Sequence, residues 1–387
     1  MKKLALLALS PLIMIASDWE HKGNISVEAQ YFHHDIDNKR DNALALRLES
    51  EVKKALGEGE FVAKVKVLWD KDDKARRYFD FSDLYYKYDF ENSDILLGRN
   101  TRFWGALEFY NITDVFNTKD FLDDPFDYDS KLGAWNVAYT QYLDNGELSL
   151  ILKLHQERQK MQDSQSVNNF LPLPYHDRLH TQKDENRPTV YLKYSGSGEE
   201  VQVDYGVIYQ NGYDAQRYMG VDRGTLEQHA YIVNKLMGYA TYIHGDTIYK
   251  TELAYALSDE DKVSDYGEFG LGLEHTLYGV WDKKDLGLLA EYYRYEQKES
   301  EKMDFSKLFA NDLTLGFRLS VNDISSSEVL GGLDIDLDTK EQILFVKYET
   351  RVLEKYKFKT SLTHLDAKEK SIFQDQDRAK VEFGYYF

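Results

Sequence analysis

The last ten residues, RAKVEFGYYF at 378–387, decide the fold. In an extended strand successive side chains point to opposite sides, so Ala379, Val381, Phe383, Tyr385 and Phe387 share one face. Arg378, Lys380, Glu382, Gly384 and Tyr386 share the other. One face is apolar and the other polar. At the edge of a water-soluble sheet such a strand would template aggregation, and here it carries no gatekeeper and finishes on a bare aromatic residue. Closing the sheet on itself removes the edge, so the stretch predicts a barrel with its apolar face turned outward.

Outward from that end, the same period recurs. In GNISVEAQYFH (23–33), Ile25, Val27, Ala29 and Tyr31 alternate with Ser26, Glu28 and Gln30. In ALALRLESEV (43–52), Leu44, Leu46, Leu48 and Val52 oppose Arg47, Glu49 and Glu51. FVAKVKVLW (61–69) turns Phe61, Ala63, Val65, Val67 and Trp69 outward and Lys64 and Lys66 inward. Repeating the reading along the chain predicts an all-β, single antiparallel transmembrane barrel of about 18 strands, with 16 the alternative count, at spacings that suit membrane strands of about 9 to 11 residues. Short turns such as DNGE and SGSGEE follow even strands, whereas most long segments, among them 156–187 and 210–230, follow odd ones and read as loops. A soluble sandwich has no reason to sort its connections by parity. An outer-membrane barrel does, with periplasmic turns, extracellular loops and both termini periplasmic.

Composition agrees. Thirty Tyr and 20 Phe accompany 5 Pro and no Cys, at a mean hydropathy of -0.58. A helical membrane protein needs long apolar runs, whereas barrel strands show apolar side chains to lipid alone and escape a hydropathy scan. Tyr serves the membrane interface, its ring in the apolar layer and its hydroxyl wet. A formal charge of -19 argues against nucleic acid as a partner. MKKLALLALSPLIMIAS opens with a basic start, an apolar run and small residues, and reads as a secretory signal at 1–17. No linker or composition shift divides the remainder, so 18–387 is expected to form one outer-membrane β-barrel.

Several stretches in order carry a resemblance: GRNTRFWG (98–105), DVFNTKDF (114–121), DTIYKTELAYAL (246–257), LGLLAEYYRYE (286–296), NDLTLGFRLSVND (311–323), VLGGLDIDLD (329–338) and the final VEFGYYF. Together they resemble a largely uncharacterised family of porin-like Gram-negative outer-membrane β-barrel proteins. Relatives often carry Asn-Pro after the Asp-Val pair, where this chain has Asn117-Thr118. The resemblance implies an outer-membrane location and passage of small solutes, with no cofactor. A terminal strand ending in Phe387 also resembles the signal read by the barrel-assembly machinery, and the outward face is expected to meet outer-membrane lipid and lipopolysaccharide. Two alternatives remain at this point: a non-conducting barrel that binds through its surface loops, and the outer-membrane part of a system moving lipids or hydrophobic compounds.

Alternation names candidate pore-lining residues: Arg47, Glu49, Lys64, Lys66, Arg99, Glu252, Glu274, Glu291, Arg318 and Arg351. Rings of charge in a pore set ion preference, and here both signs occur, with a basic cluster expected where Lys347, Lys357, Lys359 and the closing strand adjoin. The segment 105–130 mixes acids with Phe109, Tyr110, Phe116, Phe121 and Phe126, more aromatic character than a wholly exposed loop needs. Two courses fit it: folding into the lumen to narrow it, with Asp114, Phe116, Asp120 and Phe121 as constriction candidates, or packing over the mouth or against lipopolysaccharide.

Other chemistry is weaker. DIDLDTKE (334–341) opens like a calcium loop but has Thr339 where glycine is required and Phe345 at the twelfth position. His176 and His180 flank a proline-rich loop rather than a helix, so no metal is assigned. Ser149 and His155 lie about 20 Å apart at strand rise, and no G-x-S-x-G elbow is present, so no catalytic residue is assigned and no enzyme is expected.

Overall fold

The alternating segments pair with their sequence neighbours, as short connections require of antiparallel strands. A computed structural model describes residues 19–124, 127, 130–299, 309–367 and 376–387. The leader read at 1–17, together with Phe126 and Asp129, lies outside the described residues. In chain order the strands are β1 (Glu20–His34), β2 (Asn42–Leu56), β3 (Gly59–Asp70), β4 (Arg77–Asp89), β5 (Ser93–Asn100), β6 (Ala134–Leu143), β7 (Gly146–Lys153), β8 (Tyr175–Thr181), β9 (Thr189–Ser197) and β10 (Val203–Tyr213). Then follow β11 (Tyr218–Asp222), β12 (Thr225–Ala230), β13 (Ile232–His244), β14 (Thr247–Ser258), β15 (Tyr266–Gly279), β16 (Lys284–Gln297), β17 (Asn311–Ser320), β18 (Glu328–Asp336), β19 (Gln342–Val352), β20 (Tyr356–Asp366) and β21 (Gln376–Tyr386). All but β8, β11 and β12 belong to one 18-stranded sheet.

That sheet is closed. β21 pairs with β20 on one side and with β1 on the other, from Asn24 opposite Tyr386 to His34 opposite Gln376. Gly23 and Phe387 extend the seam by exchanging both backbone hydrogen bonds at 3.0 Å. The edge that residues 378–387 would have exposed is therefore consumed by the first strand. The outward face of the seam carries Val381, Phe383 and Tyr385, and the belt continues through Leu44, Leu46, Leu253, Leu257, Leu271 and Leu315, all exposed. In water such a belt would be an aggregation surface; in a bilayer it is the solvated one.

Connections sort by rim. Gly57 and Gly245, at φ 64 and φ 57, make the tight hairpin turns after β2 and β13, where the left-handed region suits glycine. The long segments 101–133, 154–188 and 214–231 all leave from the opposite rim. Both described chain ends lie on the short-turn rim, which is the periplasmic one in outer-membrane barrels.

Two loops differ from expectation. The segment read as 156–187 contains β8, and the loop read as 210–230 starts later, because β10 runs to Tyr213, and contains β11 and β12. These three strands form a small sheet, β11–β12 antiparallel and β12–β8 parallel with a register shift between Glu227 and Gln228. Each is short and lies outside the barrel sheet, so no lipid face imposes an apolar period on YHDRLHT or TLEQHA.

Candidate functional site

Alternation delivers an inward polar face, and the 101–133 segment uses it. On one side of the lumen Asp123 is held by Arg47 of β2 and Lys66 of β3, with Arg47 Nη1 donating at 2.9 Å. Arg76, in the 71–76 loop, donates to the Asp123 carbonyl at 3.2 Å and to Glu28 of β1 at 3.1 Å. Glu28 also pairs with Lys380 of β21 at 2.9 Å, which lies 3.7 Å from Asp124. Asp120 accepts from the Tyr78 hydroxyl at 2.9 Å. Burial would raise the Asp123 carboxyl, but Arg47 and Lys66 outweigh it and hold that group well below the usual carboxylate range. For Asp120 burial prevails over Lys66, and its carboxyl is pushed up.

The far side of the lumen supplies acceptors instead. Glu252 of β14 accepts from the amides of Ala106 at 2.6 Å, Leu107 at 2.9 Å and Thr113 at 2.8 Å, and from the Thr113 hydroxyl at 3.0 Å. Glu291 of β16 accepts from the amides of Glu108 at 2.6 Å and Phe109 at 2.8 Å. Loop amides outside regular structure need acceptors once buried, and two wall carboxylates provide them. The Tyr110 hydroxyl donates to Asp334 of β18 and lies 2.6 Å from the Thr314 hydroxyl of β17. Glu108 pairs with Arg318 of β17. A segment that leaves the wall between β5 and β6 and reaches β14, β16, β17 and β18 has crossed the barrel interior.

Between these anchors the loop packs as a core. Phe116 is fully buried, its ring 5.5 Å from Trp104 and 5.6 Å from Tyr191 of β9, and its carbonyl accepts from Lys153 at 2.8 Å. Leu107 and Ile112 lie against β15 at Gly270, where a Cβ would stand 2.4 Å from Leu107. Phe109 approaches Gly316 of β17 in the same way and meets Phe345 of β19, ring centroids 5.9 Å apart. Inward glycines on β15 and β17, either side of β16, are the signal that sequence reasoning missed: they flatten the wall where the loop lands.

The lumen is narrowed but not filled. A cavity of ≈ 760 Å³ lies between the loop and the β18–β21 wall. Phe109, Tyr110, Asp114, Phe121 and Asp124 line it from the loop; Asp334, Phe345, Lys347, Lys359, Lys380 and Glu382 line it from the wall. Acids and bases occur in nearly equal number along its surface. The 154–188 loop contributes Met161 and Phe170, and the Gln162 amide donates to the carbonyls of Phe121 and Asp123 at 3.3 Å, so the outer loops are tied to the inner one.

The ten alternation-named charges divide into groups. Arg47, Lys66, Glu252, Glu291 and Arg318 bind the loop. Glu49 lies 3.6 Å from Arg47, and Glu274 pairs with Lys250 at 3.1 Å and Arg318 at 3.5 Å. Lys64 stands opposite Glu51 and Asp83, and Arg351 is exposed near the end of β19. Arg99 follows Gly98 at φ 142 and falls in register with Leu84 and Trp135, yet its guanidinium pairs with Asp80 at 2.8 Å and donates to the Gly133 carbonyl at 2.9 Å. None of the ten lines the cavity; its charges come from Lys347, Lys359 and the closing strand, where the basic cluster is expected, from the loop, and from wall residues such as Lys235, Glu268, Glu328 and Asp334. Of the four constriction candidates, Asp114 and Phe121 line the cavity, while Phe116 and Asp120 fasten the loop. Glu28, which ties Arg47, Arg76 and Lys380 together, was not singled out, since alternation places it inward without naming partners.

The remaining motifs serve local structure. Asp336 accepts from the amides of Asp338 and Thr339 at 2.8 Å, forming a turn. His180 pairs with Glu227 and stacks on His229. Ser149 lies 3.2 Å from Thr140, and His155 lies 3.2 Å from Asn186.

No protein-family model matches the sequence, and no curated protein matches it significantly. Solved structures share the fold. OccAB4 of Acinetobacter baumannii is 10% identical, with 95% of this chain and 98% of that one covered at a TM-score of 0.59. OccK8 (OprE) of Pseudomonas aeruginosa is 10% identical over 95% and 98% at 0.56, and OccD3 (OpdP) of the same species 11% over 95% and 91% at 0.55. With its closed 18-stranded sheet the chain has the fold of the Gram-negative outer-membrane porins, and its apolar outer belt suits a bilayer.

Proposed function

We propose that the protein is a porin-like channel through which small solutes pass passively, its passage set by the 101–133 loop and the β18–β21 wall. The observation that carries this reading is the cavity of ≈ 760 Å³ beside a loop that is anchored on both sides of the lumen. A plug needs to fill the barrel; this loop spans the lumen but leaves a charged cavity open along the β18–β21 wall. Near-balance of acids and bases along that surface supports weak ion preference rather than a single-sign filter. The fold shared with porins supports the same reading.

Proteoliposome swelling tests it without presuming a charge preference. Vesicles holding the refolded, heat-modifiable barrel are placed in iso-osmolar neutral sugars of increasing size. Swelling that falls as sugar size rises is the expected result. Vesicles that stay inert with the smallest sugar, while electrophoresis shows a folded barrel, would overturn the proposal.

A further inference from the structure

Beneath the loop, toward the short-turn rim, lies a second cavity of ≈ 170 Å³. Its floor is apolar and buried, made by Leu96, Trp104, Ala138 and Ile151. Its walls bring the cations Lys87, Arg102 and Lys193, the hydroxyls of Thr140, Tyr142 and Ser149, and the carboxylates Asp94 and Glu147. Both carboxylates are engaged. Asp94 accepts from Tyr142 at 2.5 Å and pairs with Lys87 at 3.5 Å; Glu147 pairs with Lys193 at 3.1 Å and accepts from Ser195 at 3.0 Å.

Arg102 is different. Its Nη2 donates to Asn136 at 3.2 Å, its Nε is buried with no acceptor, and Asp94 and Glu147 act on it only at longer range. Burial lowers this guanidinium to about 10, which still leaves it charged at neutral pH. A buried, charged N–H without an acceptor costs more than an ordinary unmade hydrogen bond, so the site lacks a partner that an anion would supply.

We propose that this cavity binds a small oxyanion, a short carboxylate or a phosphate, with Arg102 as the charged donor and Thr140 and Ser149 as neutral ones. Planar two-oxygen groups match a guanidinium fork, and charge-assisted hydrogen bonds of this kind are the strong ones. Drug-sized ligands occupy pockets of about 300–1,000 Å³, so this smaller cavity restricts the occupant to a few heavy atoms and leaves the apolar floor for a short carbon chain.

Equilibrium titration of the detergent-refolded full barrel tests this, with acetate and inorganic phosphate in separate arms at constant ionic strength in chloride. Saturable binding of at least one anion is expected, and the arm in which it occurs identifies the chemistry. Arg102→Gln should weaken it at least tenfold, Ser149→Ala several-fold, and Arg102→Lys should recover part of the loss. Should Arg102→Gln not yield a heat-modifiable barrel, Ser149→Ala and Thr140→Val, away from the loop, carry the test. Absence of saturable binding in both arms, or binding indifferent to all of these variants, would overturn the inference. Binding is read without conduction: a silent barrel that binds leaves this site standing, and a conducting barrel that does not bind removes this site alone.

Discussion

Asp123 shows how single residues fix the inner loop. Its carboxylate is the shared acceptor of Arg47 and Lys66 and is held well below the ordinary aspartate range, despite burial, by those two cations. A depressed folded value means that its contribution is complete above the unfolded aspartate pKa, about 3.9, and is lost only as pH falls through the lower folded value. Fluctuations in single-channel current that arise from release of this anchor should therefore be absent at pH 5 and set in well below about pH 4. Asp123→Asn should produce them at neutral pH, because breaking a buried pair while its partners stay costs about 3 kcal/mol. At the opposite side of the passage, Lys347 lies over the Phe345 ring, 5.9 Å from its centroid, and lines the cavity. Lys347→Glu should shift the reversal potential in a salt gradient toward cations; an unchanged potential would place Lys347 off the conduction path. Arg47 and Lys66 were legible as inward residues, because alternation needs nothing beyond the strand itself. That both would spend their charge on one aspartate 76 and 57 positions later was not, since the pairing depends on how far the loop travels.

At the scale of elements, the loop and its landing wall form one unit. Its composition disclosed an inward course: a segment with that many aromatic residues must bury them, and Trp104, Tyr110 and Phe116 are buried. What composition could not disclose is the landing place, which Glu252, Glu291 and the glycines of β15 and β17 define from distant strands. Glu252→Gln replaces an anionic acceptor by an amide that turns N–H groups toward N–H groups. It should loosen the loop by about 2 kcal/mol and appear as added open-channel noise with the barrel still heat-modifiable. Gly270→Val should act by bulk alone, displacing Leu107 and Ile112 and changing unit conductance; unaltered conductance would show that the loop adapts. The small sheet of β8, β11 and β12 stayed hidden for a physical reason. Away from the barrel wall a strand need not alternate apolar with polar, and Tyr218, His229 and His180 stack on one another instead.

For the whole molecule, lipid is the reason so much was readable. Every membrane strand must present apolar side chains on alternate positions, and every membrane-level backbone group must pair, so period, parity and closure were written into the chain. Residues 378–387 illustrate it: an edge too apolar to leave open is paired along its length with β1. Removing β21 should accordingly abolish the heat-modifiable form, since β1 and β20 would both become open edges in a bilayer. Arg99 marks where the rule fails, at the rim, where Gly98 bends the strand and parity no longer fixes direction. The central claim is that the inner loop narrows an otherwise open barrel. Single-channel conductance in planar bilayers, compared between the intact protein and a variant lacking residues 111–127, tests it most directly. Stable steps for the intact protein and distinctly larger ones for the variant are predicted; equal steps from the two barrels, each verified as folded, would contradict it.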